Sequence, residues 1–420
     1  MTNTTNKIPL SRPFLGEEEA SAAAATVLSG WVTQGPKVKA FEDAFASYVD
    51  SKYACAVANC TAALHMALLA VGVQPSDIVL TVSHSFIATA NSIRLCQAEP
   101  YFIDIDLQTL NMDPSKLREI LQSSSQSSSK RKIAAILVVH QIGMPADMEE
   151  IMKIANEFNL PVVEDAACAS GSEIFWEGKW QKIGYPIGDI ACFSFHPRKV
   201  ISTGEGGMLT TNNSKYDSFF RLFRQHGMSI SDLDRHNLNS GNKQSKKNQV
   251  LIESYDILGH NYRMSDIAAA IGIEQLKKLP MIISKRRKLA ELYLKELSPL
   301  ISTGLISADL ISVQKEKEHA RSNWQSFFVY LNSQVNLKTK LSRNDLILEL
   351  ANKNIASKPA IMNAHQELPY KKENEDKDEK EHNHLTNSEL ARERGMLLPI
   401  YTQMSESDVC YVCECLKKIF

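Results

Sequence analysis

Apolar and polar positions change period along this chain in a repeating order. Short apolar runs at Tyr53–Ala58, Asp77–Val82, Pro100–Asp104, Ile133–Val139 and Pro161–Glu164 read as buried strands. Between them, apolar residues recur at helical spacing over Gly16–Leu28, Lys37–Val49 (with Phe41, Phe45 and Tyr48 on one face), Ala62–Val71, Ala88–Cys96, a stretch ending at Leu121, and Ala146–Phe158. Strands alternating with helices of this length predict an α/β fold with a mostly parallel, helix-covered sheet. Ligands of such sheets gather at the carboxyl ends of the strands. The turns after Ala58, Val82, Val139, Glu164 and Phe195 are therefore the places to look for chemistry.

Further along, Ala191–Phe195 alternates like a strand and breaks at Pro197. One lysine follows, Lys199, and then a glycine-rich turn, Gly204–Glu205–Gly206–Gly207. The patterning then predicts two helices, Ser265–Leu279 and Ile282–Leu297. Three polar runs interrupt the order: Gln122–Lys130, rich in serine, Asp234–Asn248, and the charge-dense Lys371–His384. Each reads as a solvated loop or insertion. We divide the chain into an N-terminal segment with a large domain, 1–285, and a smaller α+β domain, 286–420.

The 420 residues carry a formal net charge of -1, so there is no general attraction to nucleic acid or to an anionic membrane. No apolar run is long enough to span a bilayer, and the N-terminal MTNTTNKIPL lacks the apolar core of a signal peptide. A cytoplasmic protein is expected, with its eight cysteines reduced. Cys410, Cys413 and Cys415 lie in a helix-patterned tail without a second Cys or His pair at zinc spacing, so no metal site is read there.

The strand-end turns carry the candidate chemistry. Asn59–Cys60–Thr61–Ala62 opens a helix from a strand end, where free N–H groups and a hydroxyl suit an anion, or where Thr61 is only a helix cap. Phe86 offers a flat ring, or a core side chain. Asp165 ends a buried strand, where a carboxylate is expensive unless it meets a cation. Lys199 offers an amine of the kind that forms Schiff bases. Taken together, an anion hole, a flat aromatic, a carboxylate for a ring nitrogen and an amine for a carbonyl describe a pocket for pyridoxal phosphate. Ser194 is near enough in sequence to reach the phosphate.

These segments resemble the DegT/DnrJ/StrS family of pyridoxal-phosphate nucleotide-sugar aminotransferases. The resemblance runs from SGWVTQGP through TAALHMAL, HQIGMPADM, VEDAACASGS, FSFHPRKVISTGEGGM and GHNYRMSDIAAAIGIEQL to IMNAHQELPY and LLPIYTQMSESDV. It implies the type I, aspartate aminotransferase-like fold and a homodimer with shared active sites. Carried over by position, it implies that Lys199 holds the cofactor, Asp165 binds the pyridine nitrogen, Phe86 stacks on the ring, and Thr61, Ala62 and Ser194 hold the phosphate. Cys168 stands near the ring oxygen, where many relatives carry His or Gln. Asn261, with Arg263 as the alternative, would complete the neighbouring subunit's site. Thr33, Gln34 and His84 are candidate sugar contacts, Arg263 is a further candidate substrate contact, and His365 either lines the nucleotide-diphosphate region or is structural. Ser357–Ala360 lacks the arginines often seen before IMNAH. The implied reaction moves an amino group from an amino acid, glutamate, to a nucleotide-linked 4-keto-6-deoxy sugar, in amino-sugar or surface polysaccharide biosynthesis. The rival readings are a sugar dehydratase on the same fold, against which Lys199 argues, and a pyridoxal-phosphate-binding regulator without turnover.

Overall fold

A computed structural model describes residues 7–125, 131–231, 252–301, 311–332, 341–375 and 384–420. The predicted run Asp234–Asn248 lies outside them. The large sheet is built from β1 (Tyr53–Val57), β2 (Ile78–Val82), β3 (Glu99–Ile103), β4 (Ile133–Val139), β5 (Val162–Asp165), β8 (Ile190–Ser194) and β9 (Gly207–Thr211), in the order β1-β9-β8-β5-β4-β2-β3. Only β9 runs against its neighbours; the other pairings along the sheet are parallel. β6 (Glu173–Trp176) and β7 (Lys179–Lys182) form a small side sheet with β11 (Ala320–Arg321). The strands of the large sheet are nearly all buried and read as continuous apolar runs because helices cover both faces.

Helices α1 (Glu17–Leu28), α2 (Pro36–Val49), α3 (Cys60–Ala70), α4 (Ala88–Leu95), α5 (Pro114–Ser125), α6 (Met148–Glu157) and α7 (Ser214–Phe223) follow the predicted order to within a few residues. α5 runs on into the serine run as far as Ser125, so that run is not wholly loop. Serine is only a mediocre helix former, and here the capped, amphipathic first turns carry it.

A single helix, α8 (Asp266–Leu297), replaces the two that the patterning predicts. Pro280 sits inside it, where a missing N–H and a ring clash cost about 3 kcal/mol. Burial on both sides of the proline overrides that cost. Leu276, Leu279, Ile282 and Ile283 pack into the core of the large sheet. Leu289, Ala290, Tyr293 and Leu297 pack into a second core.

That second core lies against an antiparallel sheet of β10 (Ile311–Val313), β12 (Phe327–Leu331), β14 (Gly395–Leu398) and β13 (Lys358–Pro359), ordered β10-β12-β14-β13. Helix Glu406–Ile419 covers it, with Cys413 and Cys415 buried among its apolar residues. The charge-dense run begins as helix, Leu368–Glu375, rather than as loop throughout; residues 376–383 are outside those described.

Two buried ionic contacts position the strand ends. Asp266, at the start of α8, accepts from the N–H groups of Gly35 (2.8 Å), Lys37 (3.0 Å) and Val38 (2.9 Å), and so caps α2 from across the chain. On α2, buried Glu42 accepts from Ala56 N–H of β1 (2.9 Å), from Arg221 (3.0 Å) and from Arg224. Arg224 also donates to the Ala56 carbonyl (2.7 Å). Burial works against the Glu42 charge, but Arg224 and Arg221 outweigh it and hold the carboxyl below its ordinary range. A lowered carboxyl contributes stability above its unfolded pKa that is lost as pH falls through the folded value. Glu42→Ala leaves buried Arg224 without its partner and is expected to cost about 3–5 kcal/mol in urea unfolding at pH 7. The gap to wild type should narrow as the pH falls below about 4.

Candidate active site

A cavity of about 980 Å³ opens at the carboxyl ends of the parallel strands. Its near walls are the segments after β1, β2, β4, β5 and β8, which are the turns the sequence points to. Its far wall comes from the second sheet, through 325–326, 358–362 and 397–400.

After β1, the helix cap is Asn59, not Thr61: Asn59 Oδ1 accepts from Ala62 N–H at 2.9 Å. That contact occupies the Ala62 donor. No described residue accepts from the N–H of Cys60 or Thr61, so these two face the cavity as open donors at the positive end of α3. β9 brings the glycine turn against this helix start. Val57 pairs with Gly207, and a Cβ on Gly207 would lie 2.6 Å from the Asn59 carbonyl and 2.8 Å from Cys60 N. Only glycine permits that approach. Ser194, the last residue of β8, lines the same corner.

Asp165 ends β5 and is 5% exposed. Its Oδ2 accepts from Thr89 Oγ at 2.7 Å, and its Oδ1 accepts from Ala167 N–H at 3.2 Å. Ser85 and Thr89 hydroxyls are 2.8 Å apart and continue the chain. Burial raises the Asp165 pKa, and these bonds only partly offset it. The carboxylate thus sits in its site without a full cationic partner. Beside it, His140 N–H donates to the Asp165 carbonyl (3.1 Å). The His140 ring is 2.8 Å from Glu164 through Nε2 and accepts from Ala146 N–H at Nδ1 (3.0 Å). An accepting Nδ1 places the proton on Nε2, where it is donated to Glu164.

Lys199 follows β8 in a turn closed by Lys199 N–H to the His196 carbonyl (2.8 Å). Its Nζ donates to Cys168 Sγ at 3.1 Å. Burial pulls the Lys199 pKa down, and Cys168, Cys60 and Asp165 pull it up by more. Asn323 holds the Cys168 backbone from the far wall, donating to the carbonyls of Cys168 (2.8 Å) and Ser170 (3.0 Å). Phe86 lies at the rim and is 69% exposed.

The cavity thus gathers Lys199, Asp165, Thr61, Ala62, Phe86, Cys168 and Ser194. The other candidates lie elsewhere in this chain. His84 is fully buried and 2.8 Å from Asn363 through Nδ1, and burial lowers its pKa to about 4. His365 joins Ser83 (2.6 Å) to Glu389 (3.3 Å) and ties the second sheet's flank to the end of β2. Thr33 is exposed and Gln34 buried, both in the loop that Asp266 caps. Asn261 is exposed; Arg263 bridges to Val57, while Tyr262 between them lines the cavity. Thr89 and Asn323 are contributors that sequence reasoning missed. The turn after Val139 was a place to look, but its histidine had no assigned role.

An amine at one strand end, facing a buried carboxylate across a mostly parallel sheet, defines a transferase of the aspartate aminotransferase-like, type I fold. The DegT/DnrJ/EryC1/StrS aminotransferase family profile matches residues 13–417, and the chain belongs to that family. It is 33% identical over 415 residues to the spore coat polysaccharide biosynthesis protein SpsC of Bacillus subtilis, covering 98% of this chain and 97% of that one. It is 32% identical over 414 residues to the GDP-perosamine synthase of Escherichia coli O157:H7, covering 98% of each. Among solved structures, an aminotransferase from Psychrobacter cryohalolentis superposes with a TM-score of 0.83 at 26% identity, covering 97% of this chain and 98% of that one.

A raised acid pKa means that the folded chain binds the proton more tightly than the unfolded one, so Asp165 lowers stability as pH rises through that window. In cofactor-free protein, Asp165→Asn keeps a hydrogen-bonding amide and removes the buried charge. Its melting temperature at pH 7 is expected to exceed wild type by about 2 °C or more by scanning calorimetry. The difference should disappear near pH 3. A variant that melts lower at pH 7 would show the carboxylate to be stabilising on its own.

Proposed function

We propose that the protein moves an amino group from glutamate to the keto carbon of a nucleotide-linked sugar, a 4-keto-6-deoxy sugar, in the building of amino sugars for surface polysaccharide. The observation that carries this is the pairing of Lys199 and Asp165 in one cavity, with the open helix start of α3 beside them. Enzymes of this family depend on pyridoxal 5'-phosphate. The residues fit that group. Asp165 is a buried anion lacking a full cationic partner, Cys60 and Thr61 N–H groups are open, and glycine at 207 leaves the helix start clear. When bound, the cofactor supplies a carbonyl for the amine and an electron-poor ring for the charge left on carbon.

The chain's own residues do the rest. Asp165, oriented by Thr89 and Ala167, keeps a proton on the ring nitrogen. The α3 start and Ser194 hold the phosphate. Phe86 covers the ring face. Lys199 would hold the cofactor, and its Nζ, once free, is placed to carry protons to and from the reacting carbons, as base at the donor's α-carbon and as acid at the sugar carbon. Lys199 also favours amino transfer over dehydration or a site without turnover, because the amine is present and within contact of the cavity.

Support for the acceptor comes from the two relatives above, one a spore coat polysaccharide biosynthesis protein and the other a GDP-perosamine synthase. We read the assembly as a homodimer with shared sites: Asn261 is exposed beside Tyr262, which lines the cavity, Phe86 is exposed at the rim, and Leu258 and Ile252 are exposed apolar side chains on the segment that leads to Asn261. A cytoplasmic location agrees with eight unpaired cysteines, and no helix among the described residues is long and apolar enough to cross a membrane.

Lys199→Ala is expected to lose transfer by at least about a thousandfold, with loss of the lysine–cofactor absorbance. If Asn261 completes the neighbour's site, Asn261→Ala is also impaired. Mixing the two variants through refolding then restores about a quarter of wild-type turnover, because each mixed dimer regains one intact site. No recovery on mixing would place Asn261 outside the shared site. Full turnover by Lys199→Ala would remove the function itself.

A further inference from the structure

Two further cations, Lys358 and Arg198, line the cavity. Lys358 occupies β13, a two-residue strand whose register, Lys358 with Leu397 and Pro359 with Met396, fixes it on the far wall. Exposed Arg198 stands in the turn that leads to Lys199. Its backbone is held there, with N–H donating to His196 Nδ1 (3.2 Å) and the carbonyl accepting from Gln325. Among the described residues, neither the Lys358 ammonium nor the Arg198 guanidinium has a hydrogen-bond or ion-pair partner. Burial, followed by the charges of Arg198 and Lys199, holds the Lys358 pKa below its ordinary value. Three cations therefore share one corner. The carboxylates lining the cavity do not balance them: Asp165 is turned to Thr89 and Ala167, and Glu205 is exposed at the rim.

Such a corner is relieved by a bound anion. Three anions enter this cavity under the proposed reaction. The cofactor's phosphate has its own donors at the α3 start. The sugar nucleotide's diphosphate is joined to C1, across the ring from a C4 keto carbon, and so stays away from the reacting amine. The donor's α-carboxylate is attached to the very carbon whose proton Lys199 takes, so it must lie beside Lys199. We propose that Lys358 and Arg198 form the carboxylate subsite for the amino-acid donor, an assignment that rests on the aminotransferase reading. A planar guanidinium can grip a carboxylate through two N–H groups, and an ammonium adds a point charge. Release of the first product empties the corner before the sugar nucleotide arrives, so the same cavity serves two unlike substrates in turn.

The test uses cofactor-loaded wild type, Lys358→Ala and Lys358→Arg. In single-turnover spectra, Lys358→Ala should raise the half-saturating glutamate concentration at least about tenfold, while Lys358→Arg stays near wild type. The return half-reaction with sugar nucleotide should change less than about threefold. Calorimetric titration with glutarate, which cannot react, should show binding to wild type that weakens with salt and is lost in Lys358→Ala. An unchanged glutamate dependence overturns the assignment. So does a loss that falls on the sugar nucleotide or on retention of the cofactor, which would give the cations to a diphosphate or to the cofactor's phosphate. A wild-type protein that binds glutarate but gives no half-reaction with any amino acid supports the anion site and counts against the aminotransferase reading instead.

Discussion

A carboxylate at the end of a buried strand, with no cation of its own, is the constraint around which this structure is arranged. Asp165 is held by one hydroxyl and one N–H, and burial still pushes its pKa up. A chain selected for stability alone would put an apolar residue or a full ion pair there. Here the surrounding framework bears the strain instead. β5 is buried on both faces, Thr89 is fixed by Ser85, and the His140–Glu164 pair closes the space behind the strand end. The site is left incomplete until a protonated ring nitrogen supplies the missing charge.

The other walls follow from how the strands end. A parallel sheet sends its carboxyl ends to one edge, so turns far apart in sequence meet there. β9, the antiparallel member, carries the glycine turn back against the α3 start, and Gly207 allows the backbones to touch. Behind this edge, Glu42 with Arg224 and Asp266 with the α2 N-terminus lock β1 and α2 in place. The Glu42 charge behind this edge is thus paired, while the cavity keeps charges without a full partner: an anion in Asp165, and cations in Arg198 and Lys358 beside Lys199. That division separates the groups that stabilise the fold from those available to ligands.

Much of this was legible in the sequence, because the signals were local. Strand–helix alternation, a lysine after a broken strand and an aspartate ending an apolar run each lie within a few residues. Family resemblance then joined them. What was not legible was tertiary. The patterning divides into Ser265–Leu279 and Ile282–Leu297, yet burial in two cores carries one helix through Pro280 between them. Thr61 reads in sequence as a phosphate donor or as a cap; Asn59 takes the cap and leaves Thr61 open. His84 stands just past the same strand end as Phe86, yet it is buried and partnered by Asn363 while Phe86 is exposed at the rim. Thr89, Asn323 and Lys358 come to the site from helix, loop and second sheet, and nothing near them in sequence marks the destination.

The central claim is that Lys199 is the amine that takes the cofactor, although Lys358 lines the same cavity. Loading the protein with pyridoxal 5'-phosphate, reducing it with borohydride and mapping the label by peptide mass spectrometry tests this directly. The account predicts one phosphopyridoxyl group per chain, on the peptide containing Lys199. A label on Lys358, or none on Lys199, would contradict it.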